Sequence, residues 1–91
     1  MLVALIAHDK PNALETRTEN RAAHLAYLET HADIVAQAGP LLNDGGDMTG
    51  SLIILDVPDM TAAQDFADHD PYALAGLFAT VTLTQWKRVI G

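Results

Sequence analysis

The chain has 91 residues, twelve of them acidic and five basic, for a formal net charge of −7. So little positive charge argues against nucleic acid and against anionic membrane surfaces, both of which are held by clustered Lys and Arg. There is no cysteine, which excludes disulfides, thiolate metal sites and cysteine nucleophiles.

A chain of this length buries about 60–65% of its unfolded surface, so its core is modest and association would help it. The hydrophobic fraction is 49% and the aromatic fraction 5%, a globular composition with no sign of disorder. No apolar run approaches the roughly 18–20 residues that span a bilayer. The opening MLVALIAHDK has neither a basic first region nor a small-residue cleavage site, so it does not read as a signal peptide. A soluble cytoplasmic protein is the expectation.

Met1 to Ala7 is a continuous apolar run closed by His8-Asp9-Lys10-Pro11, and its length and Val/Ile content predict a strand. Asn12 to Arg17 reads as a loop. Arg17 to Pro40 carries the longest helical pattern, with Leu25, Leu28, Ala32 and Val35 on one stripe of 3.6-residue period. Thr18 suits the N-cap and Gly39-Pro40 the stop. His24 falls one residue off that stripe, at the edge of the face expected to be buried. Leu41-Leu42 reads as a short second strand, followed by the turn Asn43-Asp44-Gly45-Gly46-Asp47. Gly50 to Val57 predicts a third strand, and Thr61 a cap for a second helix. Asp70-Pro71 pairs an N-cap aspartate with proline at the first helical position, starting a third short helix that stops at Gly76. Val81 to Ile90 alternates as a final strand.

The order is β-α-β-β-α-β in one domain over residues 1–91. It predicts an α+β, ferredoxin-like fold with a four-stranded antiparallel sheet covered by helices on one face. The first strand and Leu52 to Leu55 are apolar on both faces, whereas a sheet covered on one side should alternate. Leaving several Leu and Ile uncovered is costly and invites aggregation. The expectation is a homodimer packed sheet to sheet.

Five side chains are candidates for chemistry. His24 suits general acid or base work, since its unperturbed pKa lies nearest neutrality; a boundary histidine bonded to a carbonyl fits the same spacing. Asp70 is explained by capping, and its second oxygen remains available to orient an imidazole. Ser51, in Thr49-Gly50-Ser51, offers a hydroxyl beside loop amides, although a turn feeding a strand explains it equally. Arg17 and Arg21 suit a carboxylate substrate or pairing with the surplus acids. No HExxH or HxH pattern accompanies the four histidines, and His24 and His31 stand about 10.5 Å apart along a helix, too far to share an ion. No metal and no cofactor is expected.

These elements together resemble the YCII-related (YciI-like) family over nearly the whole chain. The resemblance rests on the strand ending LIAHDKPNAL and on R-x-x-x-R-x-x-H-L at Arg17, Arg21, His24 and Leu25. It continues with A-G-P at Ala38 to Pro40, T-G-S at Thr49 to Ser51, A-x-x-F-A-x-x-D-P-Y at Ala63 to Tyr72, A-G-L at Ala75 to Leu77, and the closing W-K-R-V-I. It implies a dimeric α+β barrel of ferredoxin-like type, related in fold to muconolactone isomerase-like proteins, and some members or fused domains of the YCII-related family act in aromatic-compound breakdown. It also implies an active site centred on His24 and Asp70, with Ser51, Tyr72 and the two arginines binding substrate. The turn between Leu42 and Gly50 is shorter and more acidic than in many relatives, which puts the shape of the pocket mouth in doubt. Two functions follow as expectations. The first is a small cofactor-free enzyme in which His24 shuttles a proton and Asp70 orients it, in an isomerisation or elimination on a small cyclic or aromatic-derived compound. The second is a non-catalytic dimer that keeps the same pocket for binding a small ligand.

Overall fold

The structure is a computed structural model that describes residues 1–91. Its elements are β1 (Leu2–Asp9), α1 (Leu14–Thr30), β2 (Val35–Leu42), β3 (Met48–Asp56), α2 (Met60–His69), α3 (Pro71–Leu74) and β4 (Phe78–Trp86). The strands form one sheet in the order β2-β3-β1-β4, with every neighbouring pair antiparallel. This is the ferredoxin-like β-α-β-β-α-β arrangement, with the helices on one side. No helix is long and apolar enough to cross a membrane.

Strand alternation builds the core. Val3, Leu5 and Ala7 of β1 and Ile53 and Leu55 of β3 turn to the helices, where they meet Ala63, Phe66 and Ala67 of α2. The other face of the same strands carries Leu2, Ala4, Ile6, Leu52 and Ile54. Ile6 and Leu52 there are 36% and 39% exposed. The continuous apolar runs thus supply both faces, and the second stays partly exposed, with Ile54 buried among its neighbours.

Gly50 lies where β1, β3 and β2 crowd together. A Cβ at this position would sit 2.4 Å from the carbonyl oxygen of Ala7, so only glycine lets the strands approach. Ser51 follows directly and inherits that close placement.

Several boundaries differ from the sequence expectation. Residues 12–17 are not all loop: α1 begins at Leu14, with Ala13 at its N-cap and no capping side chain, so Thr18 lies inside the helix. Its hydroxyl instead bonds the carbonyl of Leu14 at 2.9 Å. The helix ends at Thr30, not at Gly39-Pro40. His31 closes it by donating its backbone N–H and its Nδ1–H to the carbonyl of Tyr27. Val35 to Leu42 then forms a full strand through Gly39 and Pro40, which is tolerated because β2 is a sheet edge with one neighbour only.

Asp59, not Thr61, caps α2, accepting the N–H of Ala62 at 2.9 Å. Asp70 does cap α3, with Pro71 in its first turn. The last strand runs Phe78–Trp86 because its partner β1 pairs Leu2 with Trp86 and offers little beyond it; Val89 and Ile90 lie past the sheet and are 85% and 90% exposed.

Candidate active site

The inward stripe of α1 is polar where a core helix is usually apolar. Its only buried residues are Arg17 and His24, two turns apart on one side. Leu25, expected on the buried stripe, is 43% exposed, whereas His24, expected at its edge, is 6% exposed. Tyr27 and Leu28 of α1 pack against the core as half-buried residues, but the fully buried positions of the helix are polar. A cavity of about 130 Å³ lies beneath it.

That cavity is lined by Arg17, Arg21, His24, Leu25 and Leu28 of α1, by Ala38 to Pro40 of β2, by Met48, Ser51 and Ile53 of β3, and by Tyr72 of α3. Five of the six candidate residues thus border one space. The sixth, Asp70, stands behind His24. His24 Nδ1 lies 2.9 Å and 3.1 Å from the two carboxylate oxygens of Asp70, and both side chains are buried. A carboxylate only accepts, so Nδ1 carries a proton and donates it to Asp70, which fixes the tautomer whose Nε2 is the acceptor. Nε2 has no partner within the chain. Because no buried side-chain nitrogen or oxygen is left unpaired, Nε2 must open onto the cavity. Asp70 also accepts the N–H of Tyr72 at 2.9 Å, so one carboxylate caps α3 and fixes the imidazole. The Tyr72 ring stacks on the imidazole with centroids 4.0 Å apart and 15° between planes.

Arg17 is held as firmly. Its Nε and Nη2 donate to the two oxygens of Asp9 at 2.7 Å and 2.9 Å, and Nη2 also donates to Ser51 Oγ at 3.0 Å. The Arg17 guanidinium lies 4.6 Å from the centre of the Tyr72 ring. With Oγ accepting from Arg17, the Ser51 hydroxyl proton is free to donate elsewhere. Arg21, by contrast, is exposed at the cavity rim and takes part in no ion pair or side-chain hydrogen bond.

Electrostatics follow from this packing. Burial works against the charge on Arg17, but the hydrogen bonds and charge of Asp9 outweigh it and hold the guanidinium above its usual pKa. Burial pushes the Tyr72 phenol up and the charge of Asp70 adds to it, against the opposing pull of Arg17 and Arg21, so Tyr72 stays a neutral phenol. Tyr27, donating its hydroxyl to the Phe66 carbonyl at 2.9 Å, is raised by burial and by Asp70.

Asp9 was absent from the candidates read in the sequence. Its signal is parity: Val3, Leu5 and Ala7 alternate onto the core side of β1, and Asp9 continues that series as an acid with a side chain 5% exposed. A buried acid at the end of an apolar strand demands a partner, and Arg17 is it. A larger hollow of about 360 Å³ lies between the β1–α1 loop and the β2–β3 turn, but no histidine borders it. No group of three or more His, Asp or Glu side chains is placed to hold a metal ion.

A family model described as the YCII-related domain matches residues 1–87. Protein YciI of Escherichia coli is 39% identical over 97 aligned residues, covering 98% of this chain and 99% of that protein. An uncharacterized protein of Haemophilus influenzae is 35% identical with the same coverage. Among solved structures, 5-chloro-2-hydroxyhydroquinone dehydrochlorinase (TftG) from Burkholderia phenoliruptrix, in complex with 2,5-dihydroxybenzoquinone, superposes with a TM-score of 0.88. It is 38% identical, with 96% of this chain and 94% of that one covered. An antibiotic biosynthesis monooxygenase, 15% identical with a TM-score of 0.53, shares the fold alone.

Proposed function

The chain belongs to the YCII-related family, and from that premise we propose that it is a small cofactor-free enzyme that moves a proton on a cyclic or aromatic-derived compound. The observation that carries this reading is the His24–Asp70 pair: a buried carboxylate fixes Nδ1–H, and His24 borders a small cavity whose lining is half hydrophobic. That arrangement suits a general base, whose lone pair must face the proton it removes. The dehydrochlorinase that superposes on the chain acts on a small aromatic compound, which supports the same substrate class here.

In the proposed step His24 Nε2 takes a proton from an acidic O–H or C–H of the ring compound. The freed electron pair spreads onto a ring oxygen, which Ser51 Oγ–H receives as a donor while Arg17 fixes Ser51 and places its own positive charge beside it. Return of the proton to another atom gives an isomer; departure of an anionic leaving group gives elimination, with the proton kept on His24 until solvent removes it. Tyr72 holds the imidazole plane by stacking.

The functional unit in this reading is a homodimer joined through the open sheet face, and the site of work is the cytoplasm. Two copies of a chain of charge −7 repel unless they meet where charge is absent. The open face is such a place: Leu2, Ala4, Ile6, Leu52 and Ile54 fill its middle, with Thr82 and Thr84 beside them.

The test is turnover of halogenated hydroxyhydroquinones, followed by halide release and by deuterium exchange from solvent. His24→Gln should lower the rate at least about 100-fold, the usual share of a positioned base. Binding without any exchange or halide release in wild type would favour the ligand-binding module instead.

A further inference from the structure

The cavity carries a charge that proton transfer alone leaves unused. Of the five basic residues in the chain, two border the cavity, and they stand in opposite states. Arg17 is neutralised by Asp9. Arg21, one turn further along α1, meets no carboxylate within 4 Å; the chain's pairs of fixed charges are Met1–Asp56 and Arg17–Asp9, and Asp70 is hydrogen-bonded to His24. Lys10, Lys87 and Arg88 are unpaired as well, but Arg21 is the unpaired base that borders the cavity.

The lining has a complementary feature. None of the residues bordering the cavity is acidic. The two carboxylates nearest to it, Asp9 and Asp70, stand behind Arg17 and His24 and are spent on them. Inside a strongly acidic protein, then, the cavity wall itself is positive. The field of Arg21 reaches the Tyr72 phenol, so its charge acts inward across the cavity and not only toward solvent.

We propose that Arg21 is the residue that selects an anionic substrate, holding a phenolate, enolate or hydroxyquinone oxygen at the mouth while the reacting edge lies at His24. The assignment rests on the proton-transfer reading only for where the reacting atom sits. Size and walls define the rest of the ligand. A cavity of about 150 Å³ takes up a benzene ring, and the space here is about 130 Å³. Its Leu25, Leu28, Ile53 and Met48 walls favour a flat ring over a hydrated tetrahedral oxyanion. Arg21 and His24 are three residues apart on one helix, which sets their Cβ atoms roughly 5–6 Å apart, within the span of one substituted ring. A planar guanidinium fork also holds two adjacent oxygens at once, which an ammonium does not.

The experiment is calorimetric titration with two ring probes: 2,5-dihydroxybenzoquinone, a vinylogous acid that is anionic at neutral pH, and neutral hydroquinone. Wild type, Arg21→Gln, Arg21→Lys and His24→Gln are compared at low and moderate salt. The expected result is a preference of wild type for the anion that falls about tenfold or more in Arg21→Gln and partly in Arg21→Lys, while hydroquinone affinity stays within about twofold. Arg21 makes no ion pair or side-chain hydrogen bond, so the melting temperature should not move. Equal binding of both probes by wild type, or an unchanged anion preference in Arg21→Gln, would overturn the proposal. Failure of the catalytic reading appears elsewhere, as full turnover by His24→Gln, and leaves this binding contrast intact.

Discussion

Replacing Asp9 by asparagine tests whether the Arg17 pair organises the site or merely decorates it. The substitution preserves shape and removes one negative charge. In the wild type the Arg17 side chain is 2% exposed and that of Asp9 5%, joined by hydrogen bonds of 2.7 Å and 2.9 Å. Neither charge is screened by solvent as a surface pair would be, so the small values measured for exposed pairs do not apply. Removing one partner of a buried pair leaves the other uncompensated and costs about 3–5 kcal/mol. A domain this small has roughly 5–15 kcal/mol in total, so about a fifth or more of its stability would be lost. Urea unfolding followed by circular dichroism reads the change as a drop in midpoint at constant slope. A double-mutant cycle with Arg17→Met adds the sharper check. Arg17→Met alone strands the Asp9 charge, whereas the double variant strands no charge, so its cost should be well below the sum of the singles. A loss under about 1 kcal/mol in Asp9→Asn, or strict additivity in the cycle, would refute the reasoning.

Asp70→Asn should lower kcat by about 100- to 10,000-fold, because an amide no longer dictates which imidazole nitrogen carries the proton. Asparagine caps helices as well as aspartate, so the melting temperature should change little; a large loss of stability with retained turnover would make Asp70 a cap only. Alkaline titration reports on the tyrosines. Tyr27 and Tyr72 are both raised above the ordinary value of 10.0. The folded state therefore keeps its phenolic protons longer than the unfolded state, and the resulting stability is complete below about pH 10 and lost as pH rises through the raised values. Tyrosinate absorbance should be small at pH 10 while the fold persists and should then appear together with unfolding; half-titration of both rings in the native protein at pH 10 would contradict this. Ile6→Lys and Leu52→Lys should turn a dimer into a monomer in sedimentation velocity, with secondary structure kept. A wild type that sediments as a monomer at micromolar concentration removes the sheet-face contact.

The sheet and the site were legible in the sequence to different depths and for different reasons. Strands β1 and β3 declared themselves as apolar runs of strand length, and Asp70-Pro71 as a helix start, because each depends on a few neighbouring residues. The β2 strand did not: Ala32 and Val35 continue the helical spacing set by Leu25 and Leu28, so periodicity extends the helix too far, and only the edge position of β2 explains why Gly39 and Pro40 sit comfortably in a strand. The end of β4 was invisible for a related reason, since it is set by where β1 ends and not by anything in Lys87 to Ile90. Asp9 was overlooked because its partner lies eight residues on in a helix whose start was placed too late. In each case the missing information was tertiary.

One arrangement recurs at the site and links its stability to its chemistry. Each inward-facing base of α1 has a carboxylate at its back, supplied by a different element: Asp9 from the end of β1 for Arg17, and Asp70 from the cap of α3 for His24. These pairs stand where an ordinary core helix would place Leu or Val, and swapping buried pairs for apolar residues is often neutral or stabilising. Stability alone therefore gives little reason to keep them. Their consequence is directional. With the acids hidden behind the bases, every charged or titratable group facing the cavity is basic or a neutral phenol, although the protein as a whole is strongly acidic. A bare acid in the wall would repel the anion that forms when a ring oxygen loses its proton; a carboxylate in the second row instead fixes its base and leaves the positive side turned inward. The same polar stripe borders the cavity beneath α1, so the buried polar positions that stand in for core residues at this end are the ones that form the site.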